Sequence, residues 1–310
     1  MRLTTLEKTI LNTVAYFNLF KLPMTSWEIF KNLYEYSEKT NLSQIKTILD
    51  NLVSSKTLEF SEGFYFLPNE TDLISIRKKR YLIAQKKIKI ARRYIKILSK
   101  LPFVRAILIC NNLAYLNARF ESDIDLAIIT KTNRIWTSRF LAAGLMKILS
   151  KRPTKRTQKD RICLSFFITE KNLNLKKLAY PQDIHFVYWI TQFMPVFDSK
   201  GATSRFFSSN RWTSKHLPNN NQPVTNARWE ITSNSKAKKF FELILSTWIG
   251  NTTEKLLKRF QLKIMPDKLK VPAKRDNTDI IISDEILKFH DQDKRQEIRD
   301  HWLEAIQKFK

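Results

Sequence analysis

The sequence predicts an α+β fold in three parts. A helical N-terminal unit ends in a β-hairpin, a central mixed sheet carries helices, and the C-terminal region is mostly helical. Two observations support this class. Apolar residues recur at helical spacing through most long segments, and two mainly apolar runs, 104–109 and 126–129, are separated by a turn and a short connector. A chain of 310 residues is long enough for two or three domains with a substantial core.

Residues 1–68 form the N-terminal unit. Apolar spacing predicts three helices, with Thr25 or Ser26 as the N-cap of the second and Ser43 as that of the third. Aromatic runs on both sides of Glu62-Gly63 predict a hairpin. This arrangement resembles a winged helix-turn-helix. The unit has seven basic and seven acidic residues, which favours a docking or substrate-orienting module; the alternative is a DNA reader.

Residues 69–101 are predicted to form one long basic helix that leads into the first central strand. Eleven basic residues in this segment oppose two acidic ones. We expect an electrostatic track for RNA, DNA or a nucleoside triphosphate, with Lys86, Lys87, Arg92 and Arg93 as nucleic-acid contacts. The alternative is a solvated lysine-rich helix face.

The motif Ser122-Asp123-Ile124-Asp125-Leu126 stands at the start of the second central strand. Side chains alternate along a strand, so Asp123 and Asp125 point to the same side. Adjacent carboxylates repel each other unless a cation lies between them, and Mg²⁺ binds one or two carboxylates together with substrate phosphates. Asp123 and Asp125 are therefore candidate ligands of Mg²⁺ or Mn²⁺. The alternative is a pair of solvated acids at the edge of a strand.

The motif and its upstream turn resemble the nucleotidyltransferases of the DNA polymerase β superfamily. That family has a strand ending in Gly-Ser, a short connector, and Asp-x-Asp on the next strand. Here Asn111 and Asn112 stand at the Gly-Ser positions, and ten residues, 113–122, separate them from Asp123. Asn is the residue after glycine that best tolerates positive φ, so we expect the turn to persist as a weaker phosphate cradle. Residues 113–118 are expected to form a short helix after it.

The resemblance implies a polymerase β-like nucleotidyltransferase domain at residues 102–200. Bacterial proteins that place a winged-helix-like module before such a domain are similar in organisation. The implied reaction is Mg²⁺-dependent transfer of a nucleotidyl group from an NTP to a hydroxyl of an RNA, protein or small-molecule acceptor, with release of pyrophosphate. Asp123 and Asp125 would be catalytic and would bind the metal.

The resemblance also implies further site residues. The family places a third carboxylate on a following strand, but residues 161–168 contain no acid. Glu170, just after that run, is the preferred candidate for the third catalytic acid, and Asp160, just before it, is the alternative. The expected nucleotide-binding residues are Asn111, Asn112 and Ser122. Arg134 and Arg139 are added to them because they stand in the first turns of the helix predicted at 134–150, from which they could reach a triphosphate. For the two arginines, the alternative is an ordinary surface or core position.

Two other functions remain open. The chain is either a catalytically degenerate protein that binds nucleotide or RNA, or a winged-helix transcriptional regulator whose second domain senses a ligand. A third acid within metal reach of Asp123 and Asp125 would favour the enzyme, and its absence would favour the degenerate protein. A basic groove on the helix at 43–56 would favour the regulator.

The amino-acid composition further narrows the possible partners, binding sites and location of the protein. The formal net charge of +26 indicates a polyanionic partner, which is either nucleic acid or a membrane surface. Four glycines, none of them clustered, exclude a Walker or Rossmann phosphate loop. The two cysteines and four histidines lack zinc-site spacing. No signal peptide or apolar span is visible, so we expect a cytoplasmic protein without a membrane span.

The remaining segments are predicted from periodicity and proline. Residues 134–150 and 183–197 are expected to be helical, with Pro195 near the end of the second. Residues 201–233 are expected to form a loop. Residues 237–262 form one amphipathic helix, which lies either on the protein itself or on a membrane surface. Residues 265–278 are expected to be a linker, and 284–310 a docking tail.

Overall fold

The computed structural model describes residues 3–70, 72–154, 156–220, 227–273, 279–289 and 293–309, and it has a mixed α/β architecture. The helices are α1 (Thr5–Asn18), α2 (Ser26–Lys31), α3 (Leu42–Ser54), α4 (Leu73–Leu98), α5 (Asn111–Ala114), α6 (Ile135–Ile148), α7 (Ile184–Thr191), α8 (Ala202–Ser209), α9 (Lys236–Ile244), α10 (Trp248–Ile264), α11 (Asp267–Ala273) and α12 (Arg295–Ile306). The strands are β1 (Glu59–Ser61), β2 (Phe64–Phe66), β3 (Val104–Ile109), β4 (Ile124–Thr130), β5 (Ile162–Thr169), β6 (Met194–Asp198), β7 (Ile280–Ile282) and β8 (Ile286–Phe289).

Six strands form the central sheet, in the order β6-β3-β4-β5-β8-β7. The pair β4–β5 is parallel, and the other neighbours are antiparallel. Residues 183–197 were predicted to be one helix, but α7 ends at Thr191 and β6 follows. Pro195 lies within β6, opposite Leu108. A strand at the edge of the sheet accommodates proline because one side of it needs no hydrogen-bond donors.

Helices cover both faces of this sheet, and the strand period explains why. Leu126 and Ile128 of β4 belong to one buried cluster, which includes apolar residues of α4 and α6. Ala127 and Ile129 point to the opposite face and pack with α7 and α8. Asp125 stands two residues before Ala127, so its side chain points to the same face of the sheet, toward α7.

The N-terminal unit contains the three predicted helices and the predicted hairpin. A capping box begins each helix, with Thr4, Thr25 and Asn41 as the N-caps. Ser43 was predicted to cap the third helix, but that helix begins earlier because Asn41 accepts from the Gln44 N–H. The core of this unit extends to α7 and α12, so the unit packs directly on the rest of the chain.

The C-terminal region contains two strands that the sequence did not predict. β7 and β8 pair with each other, and β8 pairs with β5, so this region completes the central sheet. The predicted loop at 201–233 includes α8, the predicted single helix at 237–262 is divided into α9 and α10, and the predicted linker includes α11. Residues 274–278 of that linker lie outside the described residues. No helix among the described residues has the length and apolarity needed to cross a membrane.

Candidate functional site

The two motif carboxylates meet a cysteine at the start of the parallel strand pair. Asp123 immediately precedes β4, Asp125 lies within it, and the register places Asp125 opposite Cys163 of β5. One ligand atom from each of these three residues lies within 4.8 Å of the others. The prediction that Asp123 and Asp125 share one side is therefore confirmed, and the position on β5 beside them carries a thiol.

Burial makes this group electrostatically unfavourable without a cation. Burial raises the pKa of Asp125 to about 6, and the neighbouring Asp123 charge adds to the increase. Burial also raises the pKa of Asp123 above its ordinary value. The pKa of the Cys163 thiol is raised well above its usual range, mainly by burial and further by the two carboxylates. The ionised forms of the two carboxylates are therefore unfavourable here, and a cation between them would reduce that cost.

The turn that follows β3 has the backbone conformation that the sequence predicted. Asn111 has φ of 57°, in the left-handed region where Asn is the residue after glycine that is best tolerated. The Trp189 Nε1–H of α7 donates to Asn111 Oδ1 at 2.7 Å, which fixes the amide. The short helix α5 starts at Asn111 itself, two residues before the predicted start, and ends at Ala114. Asn112 is exposed beside it.

A cavity of about 320 Å³ contains the motif. Its polar end is lined by Asn111, Asn112, Ser122, Asp123 and Asp125. Aromatic side chains line the other side, and these are Tyr16, Phe17, Phe20, Tyr115, Phe186 and Trp189. These aromatic residues come from α1, from α7 and from the positions just after α1 and α5, so the cavity forms only when the N-terminal unit packs on the central sheet.

The tail adds cations to the same cavity, which the sequence did not predict. Lys288, Lys294 and Arg295 line it. Lys288 Nζ lies 2.7 Å from Asp293 Oδ2, and Arg295 Nη1 lies 2.8 Å from Asp183 Oδ2. Both pairs are buried, whereas Lys294 lies 3.9 Å from Glu297 at the surface, with its side chain 62% exposed. The tail therefore supplies two fixed cations and one accessible cation more than 160 residues from the motif.

His185 is a further cavity residue that was not predicted. Its Nδ1 lies 2.8 Å from the Tyr16 hydroxyl, and its ring stacks on Phe20 with centroids 5.7 Å apart. Burial lowers the pKa of His185 to about 4. The imidazole is therefore neutral at neutral pH and forms part of the aromatic side of the cavity.

Neither predicted third acid joins the motif. Glu170 follows the far end of β5, seven residues and therefore roughly 20 Å along the strand from Cys163. There it pairs with Arg105 and Arg205, so its assignment as a catalytic residue was wrong. Asp160 lies nearer, but its carboxylate binds Lys87 Nζ at 2.7 Å. Among the described residues, no third carboxylate belongs to the cluster of Asp123, Asp125 and Cys163.

The predicted nucleotide contacts Arg134 and Arg139 do not line the cavity. Arg134 precedes α6, beyond the opposite end of β4, and donates to Leu245 O and Asn251 Oδ1 at 3.1 and 2.8 Å. Arg139 donates to Gln261 Oε1 at 2.6 Å. Both arginines join α6 to the C-terminal helices. They are therefore core arginines, as the alternative interpretation predicted, and their assignment to nucleotide binding was wrong.

The four predicted nucleic-acid contacts on α4 have different environments. Lys86 and Arg93 are exposed. Lys87 is 2% exposed and donates to Ser122 O and Asp160 Oδ1, both at 2.7 Å. Arg92 is half-buried. Lys87 is therefore a structural residue that holds the motif loop, and its assignment as a surface contact was wrong.

Comparison of the chain with protein-family models, with curated proteins and with solved structures finds no match.

Proposed function

We propose that this chain is a divergent protein of the polymerase β nucleotidyltransferase type that binds a nucleoside triphosphate together with Mg²⁺ or Mn²⁺. One observation carries the proposal. A single cavity combines Asp123 and Asp125, the Asn111-Asn112 turn and an aromatic wall. Its volume of about 320 Å³ lies in the range of small-molecule sites.

The side chains at the polar end fit a divalent cation. Two carboxylates with a third ligand atom within 4.8 Å suit a hard cation that completes its shell with water and phosphate oxygens. Asp123 and Asp125 would hold the ion, while neutral Cys163 contributes little to Mg²⁺ because hard cations prefer oxygen. When bound, the ion supplies charge neutralisation for the carboxylates and for the triphosphate.

The rest of the cavity suits the nucleotide. The exposed amide of Asn112 is available to donate to a phosphate oxygen, and the ammonium of Lys294 attracts the triphosphate. A nucleobase is accommodated by the aromatic side, where Trp189 and Phe186 stack with centroids 5.6 Å apart. The winged-helix-like unit contributes Tyr16 and Phe20 to this wall, which supports its role as a substrate-orienting module.

The chemistry of the cluster favours binding over efficient turnover. Cys163 occupies the strand position beside Asp125, and no third carboxylate joins among the described residues. A neutral thiol is a poor general base for a hydroxyl nucleophile. We therefore place the chain nearest to the catalytically degenerate alternative, as a metal-dependent nucleotide-binding protein.

Nucleotidyl transfer to a hydroxyl is the second candidate function. It is favoured by the pairing of Asp123 and Asp125 in one cavity, because a metal held by both carboxylates would neutralise the triphosphate during transfer. The winged-helix regulator has less support, because the exposed Lys46 on α3 is followed one turn later by the exposed Asp50. These opposite charges do not form the basic groove that a DNA reader needs.

Calorimetry with ATP, GTP, CTP and UTP tests the proposal. We expect binding of at least one nucleotide in the presence of Mg²⁺ or Mn²⁺, and its loss in Asp123→Asn and in Asp125→Asn. Glu170→Gln is the matched control because it removes an acid outside the cavity. Equal binding with and without metal, or unchanged binding in both motif variants, would refute the proposal.

Transfer is tested separately, by incubation with Mg²⁺, labelled NTPs, and total cellular RNA and protein. Nucleotide binding without label in any acceptor supports the degenerate protein. Incorporation of label that disappears in Asp125→Asn supports the second candidate.

A further inference from the structure

The helices α9 and α10 have what we call an inverted polarity, because several of their polar side chains bind the protein body while large apolar ones are exposed. In α9, Lys238 Nζ donates to Ser99 O and Val104 O at 3.0 and 2.6 Å. One turn later, Glu242 accepts from the Phe103 N–H and from Arg105, at 2.7 and 2.8 Å. The inner face of α9 is therefore held to the sheet by charged groups that are fully engaged.

The inner face of α10 is polar in the same way. Glu254 accepts from the backbone N–H groups of Trp136 and Thr137 at 2.8 and 2.9 Å. Gln261 donates to Trp136 O at 2.9 Å and accepts from Arg139 at 2.6 Å. Each helix is therefore attached by specific hydrogen bonds, which fixes the direction in which its remaining side chains point.

The outward side of both helices carries large apolar side chains among basic ones. We define the α9–α10 apolar face by six side chains whose exposed fractions lie between 49% and 75%: Phe240, Leu243, Trp248, Leu256, Phe260 and Ile264. Leu256, Phe260 and Ile264 follow one another at a spacing of four residues, so they lie along one side of α10, and Trp248 stands at its first position. Large apolar side chains exposed together on two consecutive helices of a folded protein indicate an interaction site.

The turn between the two helices holds this face in shape. A Cβ at Gly250 would lie 1.8 Å from the Leu245 carbonyl oxygen, a distance that no side chain allows. Only glycine permits the first turn of α10 to pack so closely on the end of α9. Gly250 therefore sets how closely the two helices approach each other at this turn.

Charge identifies the occupant of this face. Residues 236–264 contain two acids, Glu242 and Glu254, and both bind the protein body. Lys239, Lys255 and Arg259 are exposed beside the apolar residues. A second copy would bring like charges together on a chain of +26, and aliphatic side chains such as Leu243 and Leu256 do not stack on nucleobases. An anionic bilayer satisfies both the basic rim and the apolar face.

We propose that the α9–α10 apolar face docks on the surface of an anionic lipid bilayer, with its aromatic and aliphatic side chains at the level of the headgroups. The helices would lie parallel to the surface, since no helix among the described residues is suited to cross it. This inference is independent of the nucleotide site, because none of the six side chains lines that cavity.

Vesicle co-sedimentation of the full chain tests this proposal. We expect binding to vesicles of phosphatidylcholine with phosphatidylglycerol and little binding to phosphatidylcholine alone. Trp248→Ser and Phe260→Ser should each weaken binding at least tenfold. Replacing Lys239, Lys255 and Arg259 by Gln should weaken it roughly a hundredfold in total, at about fivefold for each charge.

The matched control is the double variant Trp27→Ser and Leu82→Ser, which removes two apolar side chains that are 56% and 62% exposed elsewhere. It should bind vesicles like the native chain, and all variants should keep the native unfolding temperature. Tryptophan emission should shift to the blue on vesicle binding and lose most of that shift in Trp248→Phe.

Three results would overturn the proposal. The first is vesicle binding that is unchanged in the apolar variants, or no vesicle binding at all. The second is a native dimer that dissociates in Trp248→Ser, which would assign the face to a second copy. The third is binding of single-stranded RNA that is lost in Trp248→Ser while vesicles without RNA are not bound, which would assign the face to nucleic acid.

Discussion

Replacing Asp125 by Asn should stabilise the protein in the absence of metal. The carboxylate is buried beside Asp123, and its pKa of about 6 exceeds the ordinary value of 3.8. This difference corresponds to about 3 kcal/mol of unfavourable free energy for the ionised form in the folded state. The amide has nearly the same shape and carries no charge, so it avoids that cost. The stabilisation should therefore reach up to about 3 kcal/mol.

The effect must depend on pH in a defined direction. Because the folded pKa of Asp125 lies above its unfolded value, protonation favours the folded state. In the native chain, the stabilisation that comes from protonated Asp125 is fully present below about pH 4 and is lost as the pH rises through about 6. Asp125→Asn should thus match the native chain near pH 4 and exceed it in unfolding free energy above pH 7.

Urea denaturation at several pH values, with a chelator present, measures this difference. Glu121→Gln is the control, because Glu121 is an exposed acid on the same loop that does not line the cavity. Addition of Mn²⁺ should then stabilise the native chain and leave Asp125→Asn unchanged. An Asp125→Asn variant that is destabilised equally at pH 4 and pH 7.5 would show that the carboxylate is not held in an unfavourable environment.

Three further predictions concern the cavity and the basic helix. The buried His185, with its pKa lowered to about 4, should make native stability fall as the pH drops from 6.5 toward 4, and urea denaturation of His185→Phe should show a weaker fall. Cys163→Asp should tighten Mn²⁺ binding at least tenfold by calorimetry, since it replaces a thiol by a carboxylate. If α4 binds RNA, Lys86→Glu with Arg93→Glu should lower the log–log salt slope by roughly 0.7 for each lost phosphate contact. Lys87→Met should instead reduce the unfolding free energy by about 2 kcal/mol, because it removes the hydrogen bonds to Ser122 O and Asp160.

Local features of the site could be predicted from the sequence. The alternation of strand side chains places Asp123 and Asp125 on one side, and the tolerance of Asn for positive φ preserves the turn at Asn111. Both depend on residues that are close in the chain. They require only the local geometry of strands and turns.

Features that depend on distant segments could not be predicted. The position of Glu170 follows from the parallel register of β4 and β5, which places Cys163 beside Asp125 and Glu170 at the far end. The cations of the tail reach the cavity because β8 pairs with β5. Arg134 was assigned to phosphate from its place near a helix start, but the carbonyl of Leu245 that binds it lies 111 residues away.

The inverted polarity of α9 and α10 shows a related ambiguity. An amphipathic pattern indicates that a helix has one polar and one apolar face, but it does not determine which face packs on the protein. Here Glu242 and Glu254 find specific backbone donors on the body of the protein. Those partners decide the orientation, and they leave Trp248 75% exposed.

The binding of Mn²⁺ tests the central claim most directly, because the ion can be followed by electron paramagnetic resonance without any assumption about the reaction. When the native chain or Glu170→Gln is titrated into a solution of Mn²⁺ and an NTP, the electron paramagnetic resonance signal of the free Mn²⁺–NTP complex should disappear. Asp123→Asn and Asp125→Asn should leave that signal intact. Equal loss of the signal in all four proteins would contradict the assignment of the metal to the Asp123–Asp125 pair.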